Sequence, residues 1–354
     1  MSVSVSVAVG TALDPAALLD DLLRIPSPTG AVDAAAARLA ALAGDAGFDV
    51  ERDGAGNVRM SWGSGDPAGA VVLLGHLDTV PGDIPVRLAD GRLHGRGAVD
   101  AKGPLAAALA ATSRLERRAD RPVVVIAACD EEGASLGARH LRNGVPPAAL
   151  IVLEPSGWDT ITTGYRGCVR LSATVTRGAA HHAGPEAGAA DCLVDALAAL
   201  RSDLAGTAGR AVDRVQVRVN ALTVDGAGGA ESATAAIELR IPLGAGVDDV
   251  LGCAAALLGD ATIAVHSSCE AVAVSRSNPA VRALARAISA SGGRPRYTTK
   301  TGTSDLNVVL PAWQCPAAVY GPGDCALDHT PRESIDIAEL RTGTDVLEAA
   351  LRAL

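Results

Sequence analysis

The chain has 354 residues, 48% of them hydrophobic, 20% charged and only 2% aromatic, with a formal net charge of -9. That length buries a large core and suggests two domains, and the core must be packed with Ala, Val, Leu and Ile. An acidic balance and few stacking rings argue against a general nucleic-acid binder, although an average leaves room for a local basic patch around one cleft.

Taken in chain order, the opening MSVSVSVAVG has neither the basic segment nor the apolar core of a secretory signal. Asp14 caps a helix through Leu23, with Pro15 at its first position. The run Pro26-Ser27-Pro28-Thr29-Gly30 breaks it, a helix follows over 32–43, and residues 48–60 read as a strand pair around Asp53-Gly54. Residues 71–74 form a short apolar strand ended by Gly75, residues 104–111 an alanine-rich helix, and 122–128 and 150–153 two further buried strands. Strands separated by helical stretches predict an α/β sheet whose active groups sit at the carboxyl ends of the strands.

From about Gly164 the texture changes. Strand-like 167–176, helical 192–204, strand-like 214–224 and 233–241, helical 248–258 and strand-like 262–266 follow the order of a ferredoxin-like insert. A helix over 279–291 and a last short strand over 316–320 complete the chain. The expected architecture is a mixed-sheet α/β domain, residues 1–164 and 273–354, interrupted by a smaller α+β domain, residues 165–272. Seven scattered cysteines without a CxxC pair argue against a disulfide scaffold or zinc ribbon. They read as small buried hydrophobes in a reducing cytoplasm. No run of about 18 apolar residues offers a membrane span.

The polar residues of 71–103, VVLLGHLDTVPGDIPVRLADGRLHGRGAVDAKG, form two islands. His76 and Asp78, two apart at a strand end, share a face, which suits a metal-ligating histidine oriented by a carboxylate. Asp100 lies on a glycine-rich turn before the alanine-rich helix. Alone, each island reads equally well as strand and helix caps. Downstream, Glu131 and Glu132 end the strand over 122–128, Glu154 ends the strand over 150–153, and His329 lies near the C-terminus. Two histidines with an excess of carboxylates suit a pair of divalent ions such as zinc, and so many acids in one cleft would repel each other without cations. One carboxylate must stay uncoordinated to take a proton from water, and adjacent Glu131 and Glu132 can split those duties.

The runs GHLDTVP, GRGAVDAKG, DEEG, EPSGW and LDHTP together resemble the dinuclear metallopeptidase and aminoacylase family that includes acetylornithine deacetylase, succinyl-diaminopimelate desuccinylase and glutamate carboxypeptidases. The likeness covers nearly the whole chain, with the five motifs in the family's order. It implies a di-zinc aminopeptidase-like catalytic domain and an insert that serves as lid and homodimerisation domain. It implies two divalent ions, Zn2+ with Co2+ as the alternative: Asp100 bridges them, Glu132 and His329 complete one site, and His76 and Glu154 the other. Glu131 becomes the general base and Asp78 the residue that orients His76. Of His181 and His182 in the insert, spacing from Gly178 favours His182 as the group that stabilises the oxyanion, often across the dimer.

Within that family, GRGAVDAKGPL, EPSGW followed by GYRG, KTGTSDLNVV and YGPGD look like the hydrolases of lysine and arginine biosynthesis. These release lysine or ornithine from the C-terminal glutamate of a small acidic amino-group carrier protein. On that likeness Arg240 meets the substrate carboxylate, Gly302, Thr303 and Ser304 contact the same group, and Asn220 reaches the substrate from the insert. The alternatives are a deacetylase, desuccinylase or dipeptidase acting on free substrates, and a binding protein that has lost catalysis. Retention of all five candidate ligands and Glu131 speaks against the last. The charge of -9 sits poorly with an acidic carrier, which prefers a basic docking face.

Overall fold

The computed structural model describes residues 12–178, 184–204, 209–227 and 229–354. Two compact units divide the chain: Met1–Thr163 with Val274–Thr298 and Val308–Leu354, and Gly164–Ala273 with Thr299–Asn307. Residues 299–307, expected from sequence to belong with the C-terminal part, pack within the second unit.

The first unit is built on a mixed sheet. The strand Val71–His76 lies between Val123–Ala128 and Ala149–Val152 and runs parallel to both. Ala317–Val319 continues the parallel set beside Ala149–Val152. Antiparallel strands Val58–Trp62 and then Asp49–Arg52 extend the Val123–Ala128 side. Every residue of Val71–His76, Val123–Ala128 and Ala149–Val152 is buried, as expected of parallel strands covered on both faces. The helix Lys102–Ser113, also buried at every position, packs on Val71–His76 and against the C-terminal helix Ile337–Ala353. Its alanines let helix and sheet approach closely. The Asp14 carboxylate caps Pro15–Leu23 by accepting from Ala17 N.

The strand over 316–320 is not the last one. Ser334–Asp336 joins Arg92–His94 and Arg87–Ala89 in a small three-stranded sheet. The helix Asp305–Trp313, with Pro311 inside it, and the helix Ile337–Ala353 also go beyond the sequence expectation. Proline masks the first as a break, while Leu340, Val346, Leu347 and Leu351 carry the second at helical spacing.

The second unit is a four-stranded antiparallel sheet in the order Gln216–Ala227, Ala230–Ile241, Gly167–Gly178, Thr262–Cys269. The helices Ala189–Ala199 and Val247–Leu258 complete the strand–helix–strand–strand–helix–strand order of a ferredoxin-like unit. Val169, Leu171, Ala173 and Val175 alternate inward and meet Leu193, Val250 and Leu258 in a core of its own.

The cysteines depart from expectation. All seven are free thiols, but only Cys168 is buried, and Cys253 and Cys325 are exposed. Burial raises the Cys168 thiol to about 11. No helix among the described residues is long and apolar enough to cross a membrane.

Candidate active site

The parallel strands bring their carboxyl ends together, and with them the charged residues that follow. His76 ends its strand opposite Ala128, so the turn carrying Glu131 and Glu132 emerges beside it. His76 Nδ1 lies 2.9 Å from the main-chain oxygen of Asp78, nearer than the 3.8 Å to the Asp78 carboxylate. A proton held on Nδ1 by that carbonyl leaves the Nε2 lone pair for a metal ion. The fully buried Asp78 carboxylate accepts from the main-chain nitrogens of Glu131 and Glu132, at 3.1 and 3.2 Å, and from Thr29 Oγ1 at 2.9 Å. Asp78 thus fixes the turn that presents both glutamates as well as adjoining His76.

Asp100 stands at the centre. Its Oδ1 is 3.0 Å from His76 Nε2 and its Oδ2 3.0 Å from His329 Nε2. Glu154 Oε1 lies 3.9 Å from His76 Nε2, and Glu132 Oε1 2.8 Å from His329 Nε2. Two triads result, His76–Asp100–Glu154 and Asp100–Glu132–His329, each with ligand atoms within 4.8 Å of one another. They share one carboxylate. His76 is buried, whereas the His329 side chain is 51% exposed. His329 and Asp130 both adopt left-handed backbone conformations, φ 60 and 65°. Such positions outside glycine concentrate at functional turns.

The electrostatics favour cations here. Burial lowers the His76 pKa, but the hydrogen bond to Asp100 and the charges of Glu131, Asp100 and Glu154 outweigh it and raise the pKa well above the usual imidazole range. Hydrogen bonds to Asp100 and Glu132 lift His329 to about 10. Burial would raise the Asp100 pKa, yet the hydrogen bonds from His329 and His76 hold it far below the ordinary carboxylate range. Three carboxylates converging on two imidazoles, with one Asp100 oxygen turned to each ring, form a nitrogen–oxygen donor set that fits a pair of divalent ions.

Glu333 and Arg96 are two residues beside the triads that sequence reasoning missed. Glu333 is 1% exposed. Its Oε1 accepts from the main-chain nitrogens of Val99 and Asp100, at 2.9 and 3.1 Å, and its Oε2 pairs with Arg96 Nη1 at 2.8 Å. The same guanidinium donates to the Thr330 and Gly82 carbonyls, at 3.2 and 3.0 Å. The pair therefore ties the turn of Asp100 to the segment of His329. The signal was a charged residue at matched spacing, Glu333 four positions after His329 and just past the LDHTP run, and Arg96 four before Asp100. Lys102, also in the motif, is buried and donates from Nζ to the carbonyls of Leu22 and Ile25, at 3.1 and 2.9 Å. Burial brings its pKa down to about 8.

In the second unit Arg240 Nε is held by Glu238 at 2.8 Å, and its Nη1 lies 3.4 Å from Thr303 Oγ1. Ser304 is buried, its main-chain nitrogen donating to Asn307 Oδ1, and nothing lies within 4 Å of a side chain built at Gly302. Arg166, buried and not foreseen from sequence, donates to the Thr301 carbonyl at 2.8 Å and Gln216 Oε1 at 3.1 Å. Asn220 is exposed at a register shift of its strand. His181 and His182 lie outside the described residues.

Residues 72–353 match the family model described as Peptidase family M20/M25/M40. A LysW-lysine hydrolase of Deinococcus radiodurans is 42% identical over 351 residues, covering 95% of this chain and 96% of that one. A LysW-lysine/LysW-ornithine hydrolase of Saccharolobus islandicus is 29% identical, covering 81% of this chain and 82% of that one. The solved structure of aminopeptidase PepT from Bacillus cereus shares the fold with a TM-score of 0.81 at 18% identity, covering 98% of this chain and 99% of that one. The chain belongs to peptidase family M20/M25/M40 and is a hydrolase of amide or peptide bonds.

Proposed function

We propose that the enzyme releases lysine or ornithine from the C-terminal glutamate of an amino-group carrier protein, in the cytoplasm and in the service of lysine or arginine biosynthesis. The observation that carries the hydrolytic reading is the Asp100 carboxylate, which turns one oxygen toward each of two triads. The names of the two relatives support the substrate.

In this reading Asp100 would be shared between two divalent ions, Zn2+ with Co2+ as the alternative, one of which His76 and Glu154 would also hold and the other Glu132 and His329. Ions held there would supply Lewis acidity, for the scissile carbonyl and for the attacking water. Glu131 takes the water proton as the oxygen attacks the carbonyl carbon, and returns it to the amine nitrogen as the C–N bond breaks. Asp78 positions His76 and the Glu131–Glu132 turn, and Glu333 with Arg96 holds the Asp100 main chain. Arg240, with Gly302, Thr303 and Ser304, meets the substrate carboxylate, and Asn220 contacts the substrate from the lid. His182 of the lid stabilises the oxyanion, and the lid unit forms a homodimer.

Side-by-side assays of carrier-linked lysine, carrier-linked ornithine and free acetylornithine test this. Turnover of a carrier-linked substrate supports it. Turnover of acetylornithine alone assigns the enzyme to free substrates and removes the carrier from the account.

A further inference from the structure

In a chain with 40 acidic and 31 basic residues, the segment 274–298 contains no Asp or Glu and five arginines, Arg276, Arg282, Arg286, Arg294 and Arg296. All five are exposed. The helix Pro279–Ala290 buries Val281, Leu284 and Ile288, which leaves Arg282 and Arg286, one turn apart, side by side on its outer face. Both ends of the segment gather at one place. Arg276 lies over the Tyr297 ring at 4.3 Å, next to Arg296, which pairs with Asp159, while Gly293, the neighbour of Arg294, stands against Trp158. Trp158 and Asp159 belong to the loop that leaves Glu154.

Elsewhere on this unit several exposed arginines are matched by carboxylates, Arg24 by Asp20, Arg52 by Asp33 and Arg118 by Asp120, whereas Arg87, Arg121, Arg142 and Arg332 stand exposed without one among the described residues but are scattered singly along the sequence. Among the described residues Arg276, Arg282, Arg286 and Arg294 have no such partner. The adjacent helix Ile337–Ala353 does not neutralise them. Its Asp345 and Glu348 are taken by Arg114, and Glu339 accepts from the Trp158 and Gly323 main-chain nitrogens. Like charges gathered without partners repel one another, so this arrangement costs stability unless an anionic surface meets it.

We propose that this arginine face is the docking surface for an acidic protein, the carrier that delivers the amino acid to the active site; the inference rests on the function proposed above. A helix face is convex and offers no groove for a single strand or peptide, so the partner it fits is a folded acidic domain. The rings beside the face, Tyr297 under Arg276 and Trp158 against Gly293, are both half-buried and offer little surface for stacking bases. Charge reaches only about 8 Å at physiological salt. A compact partner can therefore meet this face without sensing the acidic remainder of the molecule, whereas a long polyanion would cross it.

The test compares wild type with the double variant Arg282→Glu/Arg286→Glu on two substrates. One is the lysine-bearing carrier protein, and the other a carrier-free acetyl-glutamate joined through its side chain to the lysine α-amino group. The expected result is a kcat/KM lower by about 10–100-fold on the carrier alone, through KM, at low salt, with the gap closing as salt rises. Turnover of the small analogue is unchanged. Equal kcat/KM on the carrier, or an equal loss on both substrates, overturns the docking surface while leaving the proposed function standing. Wild type inert on the carrier overturns the function and the surface together. Inhibition by short RNA below the carrier's own KM assigns the face to nucleic acid and overturns the proposal.

Discussion

Asp78 and Glu333 show how few atoms hold the proposed catalytic groups in place. Glu131→Gln keeps the size and main-chain hydrogen bond of the residue but cannot carry a proton. Its kcat should fall by about 10²–10⁴-fold while ion content stays at the wild-type level. Glu333 touches no ligand atom, so its effect runs through the Asp100 main chain. Glu333→Ala should weaken ion binding about 10–100-fold in a chelator competition. Glu333→Gln, which keeps an oxygen for Val99 N and Asp100 N, should recover most of that loss, and equal loss in both variants would count against positioning. The histidines add a pH signature to the ion-free protein. His329 is raised to about 10 by Asp100 and Glu132, so its contribution to stability is complete below about 6.5, the unfolded value. That contribution is lost as pH climbs through about 10, because the folded state then gives up the proton that it had held more tightly. The melting temperature of the ion-free enzyme should fall over that window, and His329→Gln should flatten the fall. A flat profile in the wild type would remove the charged imidazole from the ion-free site.

Among the elements, the buried parallel strands and the polar residues at their ends were legible, because a continuous β-branched run followed by a charged turn has one economical place in an α/β sheet. The C-terminal helix was not called for by sequence, though its signals are present. Asp336 caps it by accepting from Ala338 N and Glu339 N at 2.8 and 3.1 Å. Asp336→Ala should cost about 1 kcal/mol in urea unfolding, and an unchanged midpoint would show that packing against Lys102–Ser113 alone holds the helix. The three-stranded sheet escaped notice for a different reason. Its strands are three residues each, too short for alternation to register, and one of them pairs across more than 200 positions of sequence. Glu333 escaped with it, since two of its partners are main-chain nitrogens that no motif displays.

At the scale of the molecule, the strand and helix order of the second unit revealed its ferredoxin-like topology, while the packing of residues 299–307 into that unit depends on contacts far apart in the chain. A single net charge likewise concealed an arginine face on an acidic protein. Asp100 remains the group on which the account turns, because it alone belongs to both triads. Equilibrium dialysis against Zn2+ with Asp100→Ala beside the wild type, counting ions per chain, tests this most directly. Two ions in the wild type and weakened binding at both sites in the variant are predicted; a single ion in the wild type, or a variant that loses only one of two, would contradict the shared-carboxylate centre.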